Sequence, residues 1–277
     1  MAAPLRRALY PTLAQCRYLN QASLGLVSEP AVDAMRAFLD DIARHGNLHM
    51  TDDEEVAFAS ALRSRAARML HAEPDNVALV GGASELMGQL PGMLEPQRGS
   101  AILCVASDFP AVTRPWLRYA EARDCCVRFI EDDPTVDLTE ALVDAIDGST
   151  GAVAVSHVQY GTGTRIDVPR LRAATAPLGV PLIVDSTQAA GVLRVDATEW
   201  EADVVVASGY KWLGGHGGIA LAVMSPQLLA QPPTSPGWMG CAAAEPFASD
   251  FCHSSVGLSA CRLSAAVRRG SQSARPL

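Results

Sequence analysis

The chain has 277 residues, of which 49% are hydrophobic and 19% charged, and it carries a formal net charge of −8. These values are typical of a globular protein with a substantial core, and the negative charge argues against a surface for nucleic acid or anionic lipid. The N-terminus lacks the continuous apolar segment of a signal peptide, and no later run is long enough to span a membrane. We therefore expect a cytoplasmic protein that binds neither nucleic acid nor membranes.

The cysteine and histidine patterns do not predict a metal site. The seven cysteines are an odd number at irregular spacings without a CxxC motif, which indicates reduced thiols rather than a disulfide framework or a zinc site. His45 and His49 lie four residues apart beside four acidic residues, but Gly46 and Asn47 break the helix that would align the two imidazoles. We predict that the chain holds no metal.

The sequence divides into three parts. Residues 1–50 form an N-terminal segment with one amphipathic helix. Residues 51–235 have the regular pattern of a large domain. Residues 236–277 are rich in Ser, Ala and Arg without strand alternation, so we expect an irregular tail.

The large domain alternates between short apolar runs and helical patterns. Strands that are apolar throughout and separated by helices indicate a mainly parallel sheet covered on both faces. We therefore predict an α/β fold, a three-layer sandwich whose ligands bind beyond the carboxyl ends of the strands. The predicted strands are 77–80, 101–106, 126–130, 152–158, 181–185, 203–207 and 219–224, and the predicted helices are 30–44, 54–70, 85–94, 113–122, 137–146 and 168–178.

Two of the turns after predicted strands suggest ligand contacts. Gly81 and Gly82 precede Ala83 and Ser84 at the start of a helix, where backbone N–H groups and a hydroxyl can bind a phosphate. The chain contains neither GxxxxGK[ST] nor GxGxxG, and a simple strand-to-helix turn explains these residues equally well. Phe109 places a ring at the same rim, with core packing as the alternative.

Lys211 is the only lysine in the chain, and the other basic residues are all arginine. A lysine amine can lose its proton and form a Schiff base, which an arginine cannot do. An incidental surface lysine is the alternative. Asp185 follows the neighbouring strand, so it should lie at the same edge of the sheet as Ser208, Tyr210 and Lys211, although a lone aspartate can also cap a turn.

The predicted edge therefore collects an amine, a carboxylate, phosphate-binding groups, an aromatic ring and the side-chain amides of Gln159 and Gln188. Pyridoxal phosphate requires such a set, because it needs a lysine, a carboxylate beside its ring nitrogen, a phosphate cradle and a ring to stack on. We predict pyridoxal phosphate as the cofactor.

Six segments in this order resemble the class V aminotransferase family of fold-type I pyridoxal-phosphate enzymes. This family includes isopenicillin N epimerase-like proteins, kynureninases and cysteine desulfurases or selenocysteine lyases. The resemblance covers Tyr18 to Met239. The segments are YLNQASLGLVS, GGASE, DFPAV followed by PW, SHVQYGTGTRID, VDSTQAAG and ASGYKWLGG.

The resemblance implies a role for each candidate residue. Lys211 would hold the cofactor as a Schiff base and shuttle the proton at the substrate Cα, while Asp185 would pair with the pyridine nitrogen. Phe109 would stack on the cofactor ring. Gln159 and Gln188 would contact the ring oxygen or the substrate. The phosphate-binding positions would be Ala83, Ser84, Ser208 and Tyr210.

The resemblance also implies a homodimer and disfavours one activity. Trp238 matches a loop that approaches the partner subunit's cofactor in relatives. Val112 stands where kynureninases carry an acid, so kynureninase activity is disfavoured.

Family members continue into a C-terminal small domain that supplies an arginine for the substrate carboxylate and, in desulfurases, a nucleophilic cysteine. We expect this small domain to be largely missing, through a truncated or shifted reading frame near residue 250. No tail arginine or cysteine can therefore be assigned either role. These residues are Arg262, Arg268, Arg269, Arg275, Cys241, Cys252 and Cys261.

The sequence thus predicts a pyridoxal-phosphate enzyme acting on an amino acid by transamination, epimerisation or carbon–sulfur or carbon–selenium lyase chemistry. One alternative is a non-catalytic remnant that keeps the cofactor-binding fold. Another is an unrelated doubly wound binding module.

Overall fold

A seven-stranded sheet organises residues 7–231, the part of the chain that the computed structural model describes. The strands are β1 Val77–Val80, β2 Ala101–Val105, β3 Cys126–Ile130, β4 Thr150–Ser156, β5 Leu182–Asp185, β6 Val204–Ser208 and β7 Ala220–Met224. Their order is β1-β7-β6-β5-β4-β2-β3. The strands from β6 to β3 pair in parallel, and β7 pairs antiparallel with both β6 and β1. The predicted mainly parallel sheet is confirmed.

Helices cover both faces of this sheet. They are α1 Thr12–Gln15, α2 Glu29–His45, α3 Asp52–Leu70, α4 Ala83–Leu94, α5 Pro110–Arg123, α6 Leu138–Ala145, α7 Val168–Thr175, α8 Ala197–Trp200 and α9 Pro226–Leu229. Short 3₁₀ turns lie at Arg7–Leu9, Pro74–Asn76 and Ala176–Leu178. In this described part, no helix combines the length and apolar character that crossing a membrane requires.

Successive residues of one strand enter different hydrophobic cores because side chains alternate across a sheet. In β2, Ile102 packs into the core built with Leu86 of α4 and Trp116 of α5. Leu103 packs into the opposite core, which includes Leu171 of α7. This arrangement confirms the predicted three-layer sandwich.

Several element boundaries differ from prediction in a way that matters for the site. Helix α4 begins at Ala83 rather than 85, directly after Gly82, so Ala83 and Ser84 lie in its first turn. Helix α5 begins at Pro110 rather than 113, because proline suits the first helical position. The helix predicted to reach 178 ends at Thr175, where a 3₁₀ turn follows.

Helix α2 contains no buried residue, although its apolar residues recur at the spacing of an amphipathic helix and so share one face. Met35, Phe38, Leu39 and Ile42 are all exposed. The apolar face of α2 is therefore left uncovered by residues 7–231.

His157 follows β4 and is buried in the layer opposite α4 and α5. The residue is 1% exposed, and its ring packs edge-on against Trp200, with 4.7 Å between ring centroids. Arg165 Nε donates to His157 Nε2 at 3.3 Å, and within the described residues His157 Nδ1 has no hydrogen-bond partner. Burial, assisted by the nearby Arg165 charge, lowers the pKa of His157 from 6.5 to about 4.

This pKa predicts a loss of stability on acidification. Between about pH 6.5 and pH 4 the unfolded chain binds a proton at His157 that the folded chain excludes, so the free energy of unfolding falls as the pH falls. The contribution is roughly 3 kcal/mol at most. Urea unfolding at several pH values should show a shallower fall in His157→Phe, whereas His216→Phe, at an exposed position, should keep the wild-type slope. Equal slopes for wild type and His157→Phe would contradict the assignment.

Candidate active site

A pocket opens at the carboxyl ends of the parallel strands, where ligands of such sheets bind. It encloses about 370 Å³, including its open mouth, which is within the range of small-molecule sites. Its lining residues are Ala83, Ser84, Phe109, Ala111, Ser156, Tyr160, Asp185, Thr187, Gln188, Ser208, Tyr210 and Lys211. Eight residues predicted from the sequence are therefore brought together there, namely Ala83, Ser84, Phe109, Asp185, Gln188, Ser208, Tyr210 and Lys211.

Lys211 lies just after β6 and is buried, with only 7% of the residue exposed. Its Nζ lies 5.3 Å from the centroid of the Phe109 ring and 5.8 Å from that of Tyr210. Burial lowers the pKa of the Lys211 amine, and the negative charge of Asp185 opposes this shift. At a given pH, a lowered pKa leaves a larger fraction of the amine unprotonated, and only the unprotonated amine can act as a nucleophile or accept a proton.

Asp185 ends β5 and is 5% exposed. Its Oδ1 accepts a hydrogen bond from the backbone N–H of Thr187 at 2.8 Å. Thr187 Oγ1 accepts in turn from the backbone N–H of Ser208 at 3.0 Å, so one threonine ties the ends of β5 and β6 together. Burial raises the pKa of Asp185, and the nearby Asp108 acts in the same direction, while the Thr187 hydrogen bonds and Lys211 oppose the shift.

The start of α4 forms another wall of the pocket. Gly82 precedes the helix without a side-chain cap, so the first N–H groups of α4 are left for other acceptors. The positive end of the helix dipole also favours a negative charge at this place. Ala83 and Ser84 belong to this turn, and Ser208 faces the same cavity.

Asp108 supports two residues of the pocket lining, Phe109 and Ser156, and the sequence did not predict this role. Its buried carboxylate accepts from Ser156 N at 2.7 Å, Ser156 Oγ at 2.6 Å and Gln159 Nε2 at 3.2 Å. It also accepts from the backbone N–H of Phe109 at 2.6 Å. One carboxylate thus joins the end of β4 to the start of α5. The sequence did offer one indication of this role, because Asp108 directly precedes Phe109 at the same edge of the sheet.

These hydrogen bonds fix the amide orientation of Gln159. Its Nε2 donates to Asp108 and to the carbonyl oxygen of Ser156 at 3.2 Å, so Oε1 is the remaining atom. Among the described residues, this buried Oε1 has no hydrogen-bond partner. Gln159 does not line the pocket itself but lies directly behind Ser156, which does.

The N-terminal segment holds the loop that carries Lys211. Gly25 N donates to the Tyr210 carbonyl at 2.7 Å, and Gln21 Nε2 donates to the Lys211 carbonyl at 3.0 Å. Gln188 Nε2 donates to the carbonyl of Ala22 at 3.1 Å. Residues about 190 positions apart in the chain therefore meet at the site.

Gln188 is predicted to contact the cofactor or substrate, and it lines the pocket. Besides Ala22, Gln188 binds Trp212, whose Nε1 donates to Gln188 Oε1 at 2.8 Å, so both ends of its amide already have partners. Trp238 lies outside the described residues. At the rim, Phe109 and Tyr160 contact edge to face, with 5.4 Å between ring centroids.

A family model for class V aminotransferases matches residues 17–242. The chain belongs to the class V aminotransferase family. This confirms the family predicted from the sequence, and because the family is one of pyridoxal-phosphate enzymes, the predicted cofactor is confirmed at the level of the family.

Two curated relatives agree with this assignment, and one solved structure shows the same fold. The chain is 28% identical over 235 residues to the uncharacterized aminotransferase YcbU of Bacillus subtilis (strain 168), covering 84% of this chain and 62% of YcbU. It is 29% identical over 251 residues to a cysteine desulfurase of Serratia proteamaculans (strain 568), covering 84% and 61%. A structure of a C-DES mutant with glycine covalently linked to its PLP cofactor has a TM-score of 0.77 at 20% identity, covering 94% and 71%. The chain thus spans less than two thirds of the two curated relatives.

Gly25 provides a test of how the N-terminal segment supports the site. A Cβ at this position would overlap the carbonyl oxygen of Lys211, so Gly25→Ala must displace one of two backbones. We expect a loss of roughly 1–3 kcal/mol in the free energy of unfolding, with faster amide exchange in the Lys211 loop.

Gly217→Ala is the matched control, because a Cβ there meets no atom within 4 Å. Denaturant unfolding and hydrogen exchange should leave this variant close to wild type. Wild-type stability and exchange in Gly25→Ala would show that the contact does not hold the loop.

Proposed function

We propose that this chain binds pyridoxal phosphate in the pocket at the sheet edge and forms the cofactor-binding part of an enzyme that acts on an amino acid. The observation that carries the proposal is the burial of the only lysine of the chain beside a buried carboxylate. Burying two ionisable groups is costly unless they serve each other or a ligand.

The chemistry of the pocket fits this cofactor group by group. Lys211 supplies the amine for a Schiff base, and burial favours the neutral form that reacts with an aldehyde. The first turn of α4 with Ser84, together with Ser208 and Tyr210, offers donors for a phosphate. Phe109 offers a ring face close to the amine.

Asp185 is the group that would pair with a protonated ring nitrogen. Its carboxylate is buried, and burial raises its pKa although the Thr187 hydrogen bonds and Lys211 oppose the shift. A cationic ring nitrogen beside it would hold Asp185 ionised.

When bound, pyridoxal phosphate supplies an electron sink for the bond that breaks at an amino-acid Cα. Lys211 Nζ is the base placed to move the Cα proton, because it lies in the pocket and burial lowers its pKa. Transamination, epimerisation and carbon–sulfur or carbon–selenium lyase chemistry all use such a base. The cysteine desulfurase among the relatives makes a sulfur-containing amino acid a reasonable first substrate to test. A homodimer and a cytoplasmic location stay predictions.

Trapping with borohydride tests the attachment of the cofactor. Reduction of the protein with pyridoxal phosphate should fix the label on Lys211, identified by peptide mapping, because no other lysine amine exists in the chain. Lys211→Arg keeps the charge but cannot form the bond, so its label should fall to the background of the N-terminal amine. Undiminished labelling of Lys211→Arg, or none in folded wild type, would refute the assignment.

Proton exchange at Cα separates an enzyme from a non-catalytic protein that keeps the fold. Unreduced wild-type protein loaded with pyridoxal phosphate and incubated with amino acids in D₂O should introduce deuterium at Cα of its substrate, and Lys211→Arg should not. Labelling without exchange for any amino acid would favour the non-catalytic alternative.

Asp185→Asn should separate stability from cofactor binding. Because the pKa of Asp185 is raised in the fold, its ionisation costs stability as the pH rises above the unfolded value of 3.8. Asn removes this cost and can still accept from Thr187 N. At neutral pH we expect cofactor-free Asp185→Asn to be at least as stable as wild type, yet to bind pyridoxal phosphate at least about tenfold more weakly, the effect of 1.4 kcal/mol.

Asp203→Asn is the matched control at the opposite end of the neighbouring strand. Asp203 accepts from Leu182 N at 2.9 Å and from Arg172 at 3.3 Å, which are purely structural contacts. Thermal unfolding and cofactor titration should show the reverse outcome, with lower stability and unchanged binding. Loss of stability in Asp185→Asn with unchanged binding would contradict the role of Asp185.

A further inference from the structure

We propose that Asp41, His45 and His49 form a binding site for a divalent transition-metal ion such as zinc, at the connection between α2 and α3. The three residues lie outside the pocket, and the proposal does not depend on the proposed enzyme activity. It rests on the convergence of two imidazole nitrogens on one carboxylate.

The distances are close to those of a metal centre. His45 Nδ1 lies 2.8 Å and His49 Nδ1 lies 2.9 Å from the same oxygen, Asp41 Oδ1. The three ligand atoms all lie within 4.8 Å of one another. Zinc binds nitrogen and oxygen at about 2.0–2.2 Å, so its ligand atoms can be separated by up to about 4 Å. A movement of about an ångström would therefore bring all three groups onto one ion.

The turn after α2 brings His49 back toward His45, which the sequence did not predict. Helix α2 does end at His45, as Gly46 predicts, and Asp41 lies one helical turn earlier. Gly46 adopts φ 62°, a left-handed conformation that glycine enters without strain. The chain then turns back, so that the His45 and His49 ring centroids are 4.4 Å apart. The expectation that the helix break would keep the two imidazoles apart is wrong.

Both sides of the turn are fixed. On one side, Gly46 N donates to the Ile42 carbonyl at 2.8 Å and closes α2. On the other, Thr51 and Glu54 form a capping box that starts α3. His49 is held between these two anchors, which reduces the conformational freedom that metal binding would otherwise have to remove.

The ligand set selects the class of metal. Two imidazoles and one carboxylate suit zinc and neighbouring first-row ions, whereas magnesium and calcium prefer oxygen ligands. The side chains of Asp41, His45 and His49 are 40%, 42% and 58% exposed, which leaves room for water to complete the coordination. The nearby Arg44 pairs with Asp40 rather than Asp41. A bound ion would join the end of α2 to the start of α3.

The alternative is a metal-free cluster in which both Nδ1–H groups donate to Asp41. The two arrangements differ in the histidine tautomer, because a metal ligand nitrogen carries no proton. Nitrogen NMR of ¹⁵N-histidine-labelled full-length protein reports this directly. On addition of zinc, we expect the Nδ1 signals of both His45 and His49 to move to metal-bound positions at one ion per chain.

Variants test whether the three residues act together. Asp41→Asn, His45→Ala and His49→Ala should each weaken zinc binding in calorimetry by at least the roughly 10–100-fold that loss of an outer-shell partner costs. The positions are exposed, and circular dichroism would verify folding. His71→Ala is the matched control, because His71 faces a single carboxylate, Asp196, at 3.8 Å.

Two results would overturn the proposal. One is the absence of any Nδ1 shift in His45 and His49 at a molar excess of zinc. The other is zinc binding that His49→Ala leaves unchanged, which would place the ion on other residues.

Discussion

Burial of the Lys211 amine beside the Asp185 carboxylate is the constraint on which the architecture of the site depends. Neither group can lie in an apolar interior without hydrogen bonds or an opposite charge. Thr187 supplies a hydrogen bond to Asp185, because its backbone N–H donates to the carboxylate. Its hydroxyl accepts from the backbone N–H of Ser208, just before the turn that carries Lys211. The parallel pairing of β5 and β6 brings the two strand ends to one edge and makes this short connection possible.

The position of Lys211 also depends on residues far away in the sequence. After β6 the chain must reverse to enter β7. The intervening loop contains several glycines, which have no side chains to pack and hold it in place. The N-terminal segment compensates by binding the carbonyls of Tyr210 and Lys211. Gln188 adds a further link through Ala22 and Trp212. The catalytic lysine candidate is therefore positioned by three separate parts of the chain.

The sequence predicted the sheet well, because uninterrupted apolar runs locate buried strands. It also predicted that Lys211 and Asp185 would lie at one edge, because polar residues directly after such runs locate the strand ends. It did not predict the role of Asp108, because one acid after a strand resembles an ordinary turn cap. It did not predict that Gln188 would bind the N-terminal segment, since such long-range contacts have no local signal. The return of His49 toward α2 was missed for a related reason, as a broken helix shows where an element ends but not where the chain goes next.

The electrostatics of the pocket couple ligand binding to stability. Burial shifts both Asp185 and Lys211 toward their neutral forms, and the nearby Asp108 raises the pKa of Asp185 further. A ligand with a cationic ring nitrogen and an anionic phosphate would place a positive charge beside the Asp185 carboxylate and a negative charge at the positive end of α4. Any ligand that binds only the folded state stabilises it by mass action. The burial that disfavours the charged forms of Asp185 and Lys211 would also strengthen their attraction to such a ligand, because charges interact more strongly away from water.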